Sequence, residues 1–151
     1  SPLALLSLSP LSHLSLTSLS PLSHFLLQAE IAMSMYERDA KTSNVHVNYQ
    51  RLVLALNIAN EHMSEITGGK KPRAGDIARA KFILANVHVA VHQFSQESKE
   101  AFEVAVDLVK KINFEEAVSM LRDARVQFGE TGDKVGVAEV DRYCDKYKVV
   151  L

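Results

Sequence analysis

The chain has 151 residues, of which 47% are hydrophobic, and its formal net charge is -1. This length suits one domain, and the hydrophobic content is sufficient for a buried core. The small net charge gives no electrostatic basis for binding nucleic acid or an acidic membrane surface. The single cysteine, Cys144, excludes an intramolecular disulfide framework and suits the reducing environment of the cytoplasm.

The N-terminal segment differs in composition from the rest of the chain. Residues 1–28 carry no charged side chain, and the sequence from Ser7 to His13 recurs unchanged from Ser18 to His24. The segment lacks the basic residues of targeting peptides, and Pro10 interrupts any run that could span a membrane. We interpret residues 1–28 as a low-complexity Ser/Leu/Pro segment, disordered or foreign to the natural protein. Residues 29–151 are then the helical domain.

Three helices are predicted in the first part of this domain, over residues 29–40, 45–66 and 75–93. The second ends where Gly68 and Gly69 follow, because glycine is common where helices stop. The third helix has two apolar stripes, which are Ile77, Ala80, Leu84, Val87 and Val91, and Ala78, Phe82, Ala85 and Val89. An apolar surface this wide indicates burial on both sides, as in the middle of an array.

Residues 98–131 form the most informative stretch, because two amphipathic helices meet there at residues 112–113. Asn113 is a favourable N-cap for the second helix, and Glu116 lies where a capping-box carboxylate belongs. Gly129 is expected to end that helix in the left-handed conformation. Neither helix can bury its apolar stripe alone, so we expect them to pack as a hairpin and against neighbouring helices.

This hairpin resembles a tetratricopeptide repeat, a helix–turn–helix unit of about 34 residues. The resemblance extends over about residues 77–148. It is carried by the motif Asn113-Phe114-Glu115-Glu116-Ala117, by Leu121 and Ala124 in the second helix, and by Val104, Ala105 and Leu108 in the first. It implies an all-α fold of antiparallel hairpins stacked as a short right-handed α-solenoid. A helical bundle would satisfy the same apolar stripes.

The last predicted helix runs from Lys134 to about Val149, and apolar residues follow it to Leu151. The terminal helix of a repeat array normally presents a polar outer face. We therefore expect either that the chain is a fragment of a longer array or that this end packs back on the domain.

Four motifs contain residue types that occur in chemical sites, and each has a simpler structural explanation, which for Gly68-Gly69-Lys70 is a basic surface loop. His88 and His92 have a spacing that can hold a metal, but the sequence places no further ligand beside them. Gly68-Gly69-Lys70 lacks the other residues of a phosphate loop. Cys144 has no identifiable activating base, and Glu115-Glu116 suits the first turn of a helix. We predict no catalytic residues, no metal and no cofactor.

The resemblance instead implies binding, because the first helices of tetratricopeptide arrays line a concave groove that holds a peptide. Carried over by position, the groove residues are Arg79, Phe82 and Asn86 on one helix, and Lys99, Phe102, Val106 and Lys110 on the next. Arg79, Asn86, Lys99 and Lys110 would together receive an acidic peptide.

We therefore predict a protein–protein interaction module that binds a peptide or partner helix. We predict that the protein is not an enzyme and that it binds neither nucleic acid nor membrane. Two alternatives stay open. One is a structural segment that self-associates through its C-terminal end, at Val149–Leu151. The other is a helical bundle that binds a small molecule in an enclosed pocket or regulates a larger protein.

Overall fold

The computed structural model describes residues 21–42, 44–69 and 71–151, and these ranges contain helices and turns but no strand. The all-α prediction is thereby confirmed. The helices are α1 (Pro21–Asp39), α2 (Val45–Thr67), α3 (Ala74–Glu97), α4 (Lys99–Val104), α5 (Val106–Lys111), α6 (Phe114–Glu130) and α7 (Lys134–Tyr147).

The start of α1 differs from the expected one. The helix begins at Pro21, so it includes the last eight residues of the segment predicted to precede the domain. The first copy of the repeat, Ser7–His13, lies outside the described residues, as does Lys70 of the glycine-rich loop. The separate character of residues 1–20 therefore stays a prediction.

Helix α3 lies at the centre of the molecule. It packs against α1, α2, α4, α5 and α6. Members of both predicted apolar stripes are buried, including Ala78 and Val89 from one stripe and Ala80 and Val87 from the other. The prediction of burial on both sides of this helix is confirmed.

Side-chain caps explain where several helices begin. The Asn113 side chain accepts a hydrogen bond from the Glu116 amide at 3.0 Å, which confirms the predicted N-cap of α6. The Asn113 amide does not donate to a Glu116 carboxylate as in a capping box; it donates to Nδ1 of His88 at 3.4 Å instead. Asn44 caps α2 in the same way, accepting from the Val47 amide at 2.9 Å.

The predicted end of α6 at Gly129 is wrong. Gly129 stays within the helix, and Gly132 adopts the left-handed conformation, with φ at 77°. The Asp133 amide then donates to the Phe128 carbonyl at 2.8 Å, and the Gly132 amide donates to the Gly129 carbonyl at 3.2 Å. These two bonds form a Schellman motif, which satisfies carbonyls that the helix end leaves free.

The predicted helix over residues 98–112 is divided into two short helices. Ala105 separates α4 from α5, with φ at -89° and ψ at 7°. The partner of α6 also differs from the expected one. Its principal neighbours are α3 and α7, and neither α4 nor α5 is among them. The interface expected within the hairpin is formed instead by α6 running antiparallel along α3.

The C-terminal end packs back in part. Lys148 has φ at 57°, and the Val149 amide donates to the Cys144 carbonyl at 2.9 Å. This turn places the Val149 side chain in the core, while Val150 remains exposed. The predicted packing of this end against the domain is therefore seen at Val149, and continuation as a longer array stays a prediction.

Candidate functional site

An open groove of about 560 Å³ lies over α3, between α1 and α7. We call it the α1–α7 groove. Its lining residues are Glu30, Met33, Ser34 and Glu37 from α1, Arg79, Phe82, Ile83 and Asn86 from α3, and Glu139 from α7.

Helical spacing explains why these side chains share one surface. On α1 and on α3, the lining residues follow the i, i+3, i+4, i+7 pattern that defines one face of a helix. Glu30 lies near Arg79 at one end of this surface, and Glu37 and Asn86 line the same narrow cleft at the other end. The two helices therefore run in the same direction along the groove.

The floor of the groove is apolar. Met33, Phe82 and Ile83 are all buried, and each also contributes to the hydrophobic core. The ring of Phe82 meets the ring of Tyr143 edge to face, with 5.7 Å between ring centroids. The floor is thus fixed by core packing.

Arg79 connects the groove to α7 and to the core. Its Nη1 lies 2.7 Å from Oε2 of Glu139, and both side chains are less than half exposed. The guanidinium carbon lies 5.0 Å from the ring centroid of Phe128 and 5.9 Å from that of Phe82, within cation–π distance. With these contacts, the Arg79 charge is largely compensated within the protein.

The groove carries more negative than positive charge. It has three carboxylates, on Glu30, Glu37 and Glu139, and one guanidinium, on Arg79. Partial desolvation of the Glu30 carboxyl group by the groove walls raises its pKa, although the side chain is exposed overall; the positive charge of Arg79 opposes this shift, and the negative charge of Glu139 adds to it. Because Glu139 is paired with Arg79, Glu30 and Glu37 carry the excess charge.

The groove narrows at its far end into an aromatic cleft of about 30 Å³. This cleft shares Glu37 and Asn86 with the groove and is lined by Tyr36, Tyr143 and Tyr147. The rings of Tyr143 and Tyr147 lie 4.6 Å apart between centroids. Burial raises the pKa of both Tyr36 and Tyr143. A volume of about 30 Å³ matches one water molecule, so this end closes the groove.

The structure brings together three of the five site residues predicted from the sequence. Arg79, Phe82 and Asn86 line the α1–α7 groove. Asn86 uses its side-chain amide to donate to the Phe82 carbonyl at 3.0 Å.

The other two predicted residues, Lys99 and Lys110, lie elsewhere. Lys99 begins α4, beyond Glu97 at the C-terminal end of α3, and Glu97 lies about 27 Å along the helix axis from Arg79 at 1.5 Å per residue. Lys110 lies shortly before Asn113, whose backbone amide contacts His88 on α3. His88 is about 200° around the α3 axis from Asn86, so this contact lies on the side of α3 away from the groove. The four side chains expected to receive an acidic peptide do not share a surface.

Sequence reasoning missed the contribution of α1 and α7 to this site. Glu30 and Glu37 are seven residues apart, which places them on one helix face, and this signal was available in the sequence. The pairing of Glu139 with Arg79 has no comparable sequence signal, because it depends on how α7 packs.

The motifs considered for chemistry have structural partners. His88 is buried beside the Asn113 backbone, and burial lowers its pKa. The ring of His92 lies 4.8 Å from that of Phe114, measured between centroids. Cys144 is buried, and burial raises the pKa of its thiol. Within residues 21–42, 44–69 and 71–151, no group of three or more potential metal ligands occurs.

No helix in the described part of the chain combines the length and apolar character needed to cross a bilayer. Comparison of the chain with protein-family models, curated proteins and solved structures finds no match.

Proposed function

We propose that this protein is a protein–protein interaction module, and that it holds a peptide or partner helix in the α1–α7 groove. The observation that carries the proposal is the combination of a preformed apolar floor with an exposed polar rim. Met33, Phe82 and Ile83 supply the floor, and Glu30 and Glu37 supply exposed rim charges. Apolar anchors surrounded by polar groups are typical of helix-in-groove recognition.

The proposal is one of binding, not of catalysis. The nine described lining residues include neither histidine, cysteine nor lysine, and the only guanidinium is compensated by Glu139. The groove is open to solvent except at the aromatic cleft that closes one end, whereas sites for small molecules usually enclose most of the ligand surface. These features support a partner macromolecule over an enclosed small ligand.

For the helix arrangement, we propose the bundle rather than the tetratricopeptide-like solenoid. In an array of stacked helical hairpins, each helix packs chiefly on the helix that precedes it in the chain. Here α6 packs chiefly on α3, and neither α4 nor α5, which precede it, is among its principal neighbours. This supports a central-helix bundle, although the hairpin motif at residues 113–117 resembles the repeat family.

The experiment that tests the function is a selection of displayed peptides of about 16 residues, long enough to form helices. The full chain serves as bait beside two tryptophan variants. Ser34→Trp fills the groove from an exposed position, and Ser119→Trp adds the same bulk at an exposed position on α6. We expect selected peptides to bind the Ser119→Trp variant normally and to lose at least tenfold in affinity for the Ser34→Trp variant. Equal binding to both variants would contradict the proposal.

A second surface favours self-association as an additional function. A hollow of about 560 Å³ is lined by Arg122, Arg125, Val126, Asp141, Cys144, Asp145, Val149 and Leu151. Arg125 pairs with Asp141 at 2.7 Å, while Arg122 and Asp145 have no ion-pair partner among the described residues. Apolar residues with charges of both signs suit a two-fold contact, in which Arg122 meets Asp145 of a second copy.

Sedimentation velocity over a range of concentrations tests this contact. Val126 is 51% exposed and Val135, outside the hollow on α7, is 66% exposed. If the hollow joins two copies, the wild type and the Val135→Asp variant dimerise with rising concentration and the Val126→Asp variant does not. A wild type that stays monomeric throughout would refute this second candidate.

A further inference from the structure

The α1–α7 groove also indicates the chemical class of its partner. Glu30 and Glu37 are both exposed, and neither has an ion-pair partner among the described residues. The third carboxylate, on Glu139, already holds Arg79 at 2.7 Å. A partner that carries positive charge would therefore find two available carboxylates, and a partner with negative charge would be repelled.

The spacing of these carboxylates restricts the partner further. Seven residues of α-helix advance about 10.5 Å and return to nearly the same face, so Glu30 and Glu37 form a pair two turns apart. Between them lie Ser34, which is exposed, and Met33, which is buried beside Phe82 and Ile83 in the floor. The rim therefore presents two carboxylates about 10 Å apart, above an apolar floor.

The backbone requirements of the partner favour a helix. An extended peptide presents unpaired amide and carbonyl groups that need partners when they are buried. Beyond the charged groups, the groove lining offers Ser34 and Asn86, and the Asn86 amide already donates to Phe82. A helix satisfies its own backbone groups, so it can occupy an apolar floor with few external hydrogen bonds.

We propose that the groove binds an amphipathic basic helix with Lys or Arg at positions i and i+7 and a large apolar residue at i+3 or i+4. The two cations pair with Glu30 and Glu37, and the apolar side chain lies over Met33, Phe82 and Ile83. This inference rests on the proposed function and adds the charge and spacing of the partner to it.

The test uses the peptides selected on the full chain, sequenced and then measured singly by fluorescence anisotropy. We expect enrichment of Lys or Arg at a seven-residue spacing around a large apolar residue. The double variant Glu30→Gln, Glu37→Gln should bind these peptides about tenfold more weakly at low salt, because each exposed ion pair contributes modestly. Raising the salt concentration should reduce wild-type affinity and leave that of the double variant nearly unchanged.

The matched control is the double variant Glu61→Gln, Glu65→Gln, which removes two exposed carboxylates of α2 outside the groove. It should bind like the wild type. Groove-dependent peptides that lack paired basic residues would overturn the basic-helix inference and leave the interaction module standing. Basic peptides that bind in an extended form, seen as a cation spacing of three residues, would overturn the helical form of the partner. Absence of any peptide sensitive to Ser34→Trp would overturn both proposals.

Discussion

The close approach of the Gly136 backbone to the ring of Phe128 predicts that adding a methyl group at residue 136 will destabilise the protein. Gly136 lies in the first turn of α7, directly against the ring of Phe128. A Cβ atom at residue 136 would lie 2.6 Å from Cγ and 2.7 Å from Cδ1 of that ring. Carbon atoms in favourable contact lie about 3.5–4.0 Å apart, so the shortfall is about 1 Å.

Two effects of Gly136→Ala have opposite signs. Alanine has the higher helix propensity, worth at most about 1 kcal/mol in a helix interior and less in a first turn. Overpacking a filled core costs about 1–3 kcal/mol. The ring of Phe128 is 1% exposed and the Arg79 guanidinium lies 5.0 Å from its centroid, so the ring has little room to move. We expect the overpacking cost to exceed the gain, with a net loss of about 1–2 kcal/mol in free energy of unfolding.

The assay is urea denaturation followed by circular dichroism, with a thermal melt beside it. A loss of that size lowers the Tm by about 2–8 °C in a chain of this length. The matched control is Gly129→Ala, because Gly129 is helical and exposed and its nearest atom, Cγ2 of Val137, is 4.0 Å from the added Cβ. The control should gain about 0.4–1 kcal/mol. A Gly136→Ala variant as stable as the control would refute the packing argument.

Three further predictions concern stability. Ala117 is fully buried, so Ala117→Arg should cost about 4 kcal/mol or more in urea denaturation, whereas Arg at the exposed Ser119 should cost little. Asn113→Ala removes the N-cap of α6 and should cost about 1 kcal/mol by the same assay, and Asn113→Asp should restore most of that loss. Burial lowers the pKa of His62 and of His88 in the folded protein, so the unfolded chain binds more protons below neutrality. The Tm should therefore fall as the pH decreases from about 7.5 to 6, through the unfolded histidine pKa of about 6.5.

Each of these expectations has an outcome that contradicts it. An unchanged Tm for Ala117→Arg would show that α6 does not pack as described. Equal stability of the alanine and aspartate variants at residue 113 would remove the capping argument. For the histidines, His62→Leu should make the Tm depend less on pH. The substitution should not lower the stability of the folded protein, because both ring nitrogens of His62 are buried without a hydrogen-bond partner among the described residues. A pH slope that this substitution leaves unchanged would contradict the role of His62.

Local signals in the sequence predicted the helices better than their partners. Asn113 defines the start of α6 through its own side chain, and that start was predicted correctly. Two glycines near the end of α6 are chemically equivalent in the sequence. Only the structure shows that Gly132, not Gly129, has a positive φ. The helix is broken at Ala105, where the sequence has neither glycine nor proline. We therefore attribute the break to the packing of α4 and α5, which local sequence signals do not predict.

The candidate site could be predicted only in part, for a related reason. Arg79, Phe82 and Asn86 share a helix face, and helical periodicity alone brings them together. Lys99 was grouped with them by analogy to a stacked array, which assumes how successive helices are placed. The two walls on either side of α3 come from Glu30 on α1 and Glu139 on α7, more than 100 residues apart in the chain, and no periodicity connects them.

The central position of α3 has a consequence for how the molecule unfolds. Linear arrays of helical units can lose one end while the other stays folded, because each unit depends only on its neighbours. Here α2 on one side and α6 on the other both bury their apolar faces against α3. Opening either side exposes apolar surface of α3, such as Val87 and Val91, which are fully buried. Amide hydrogens of α3 should therefore exchange only through global unfolding, at a common rate that reports the cooperativity of the whole domain.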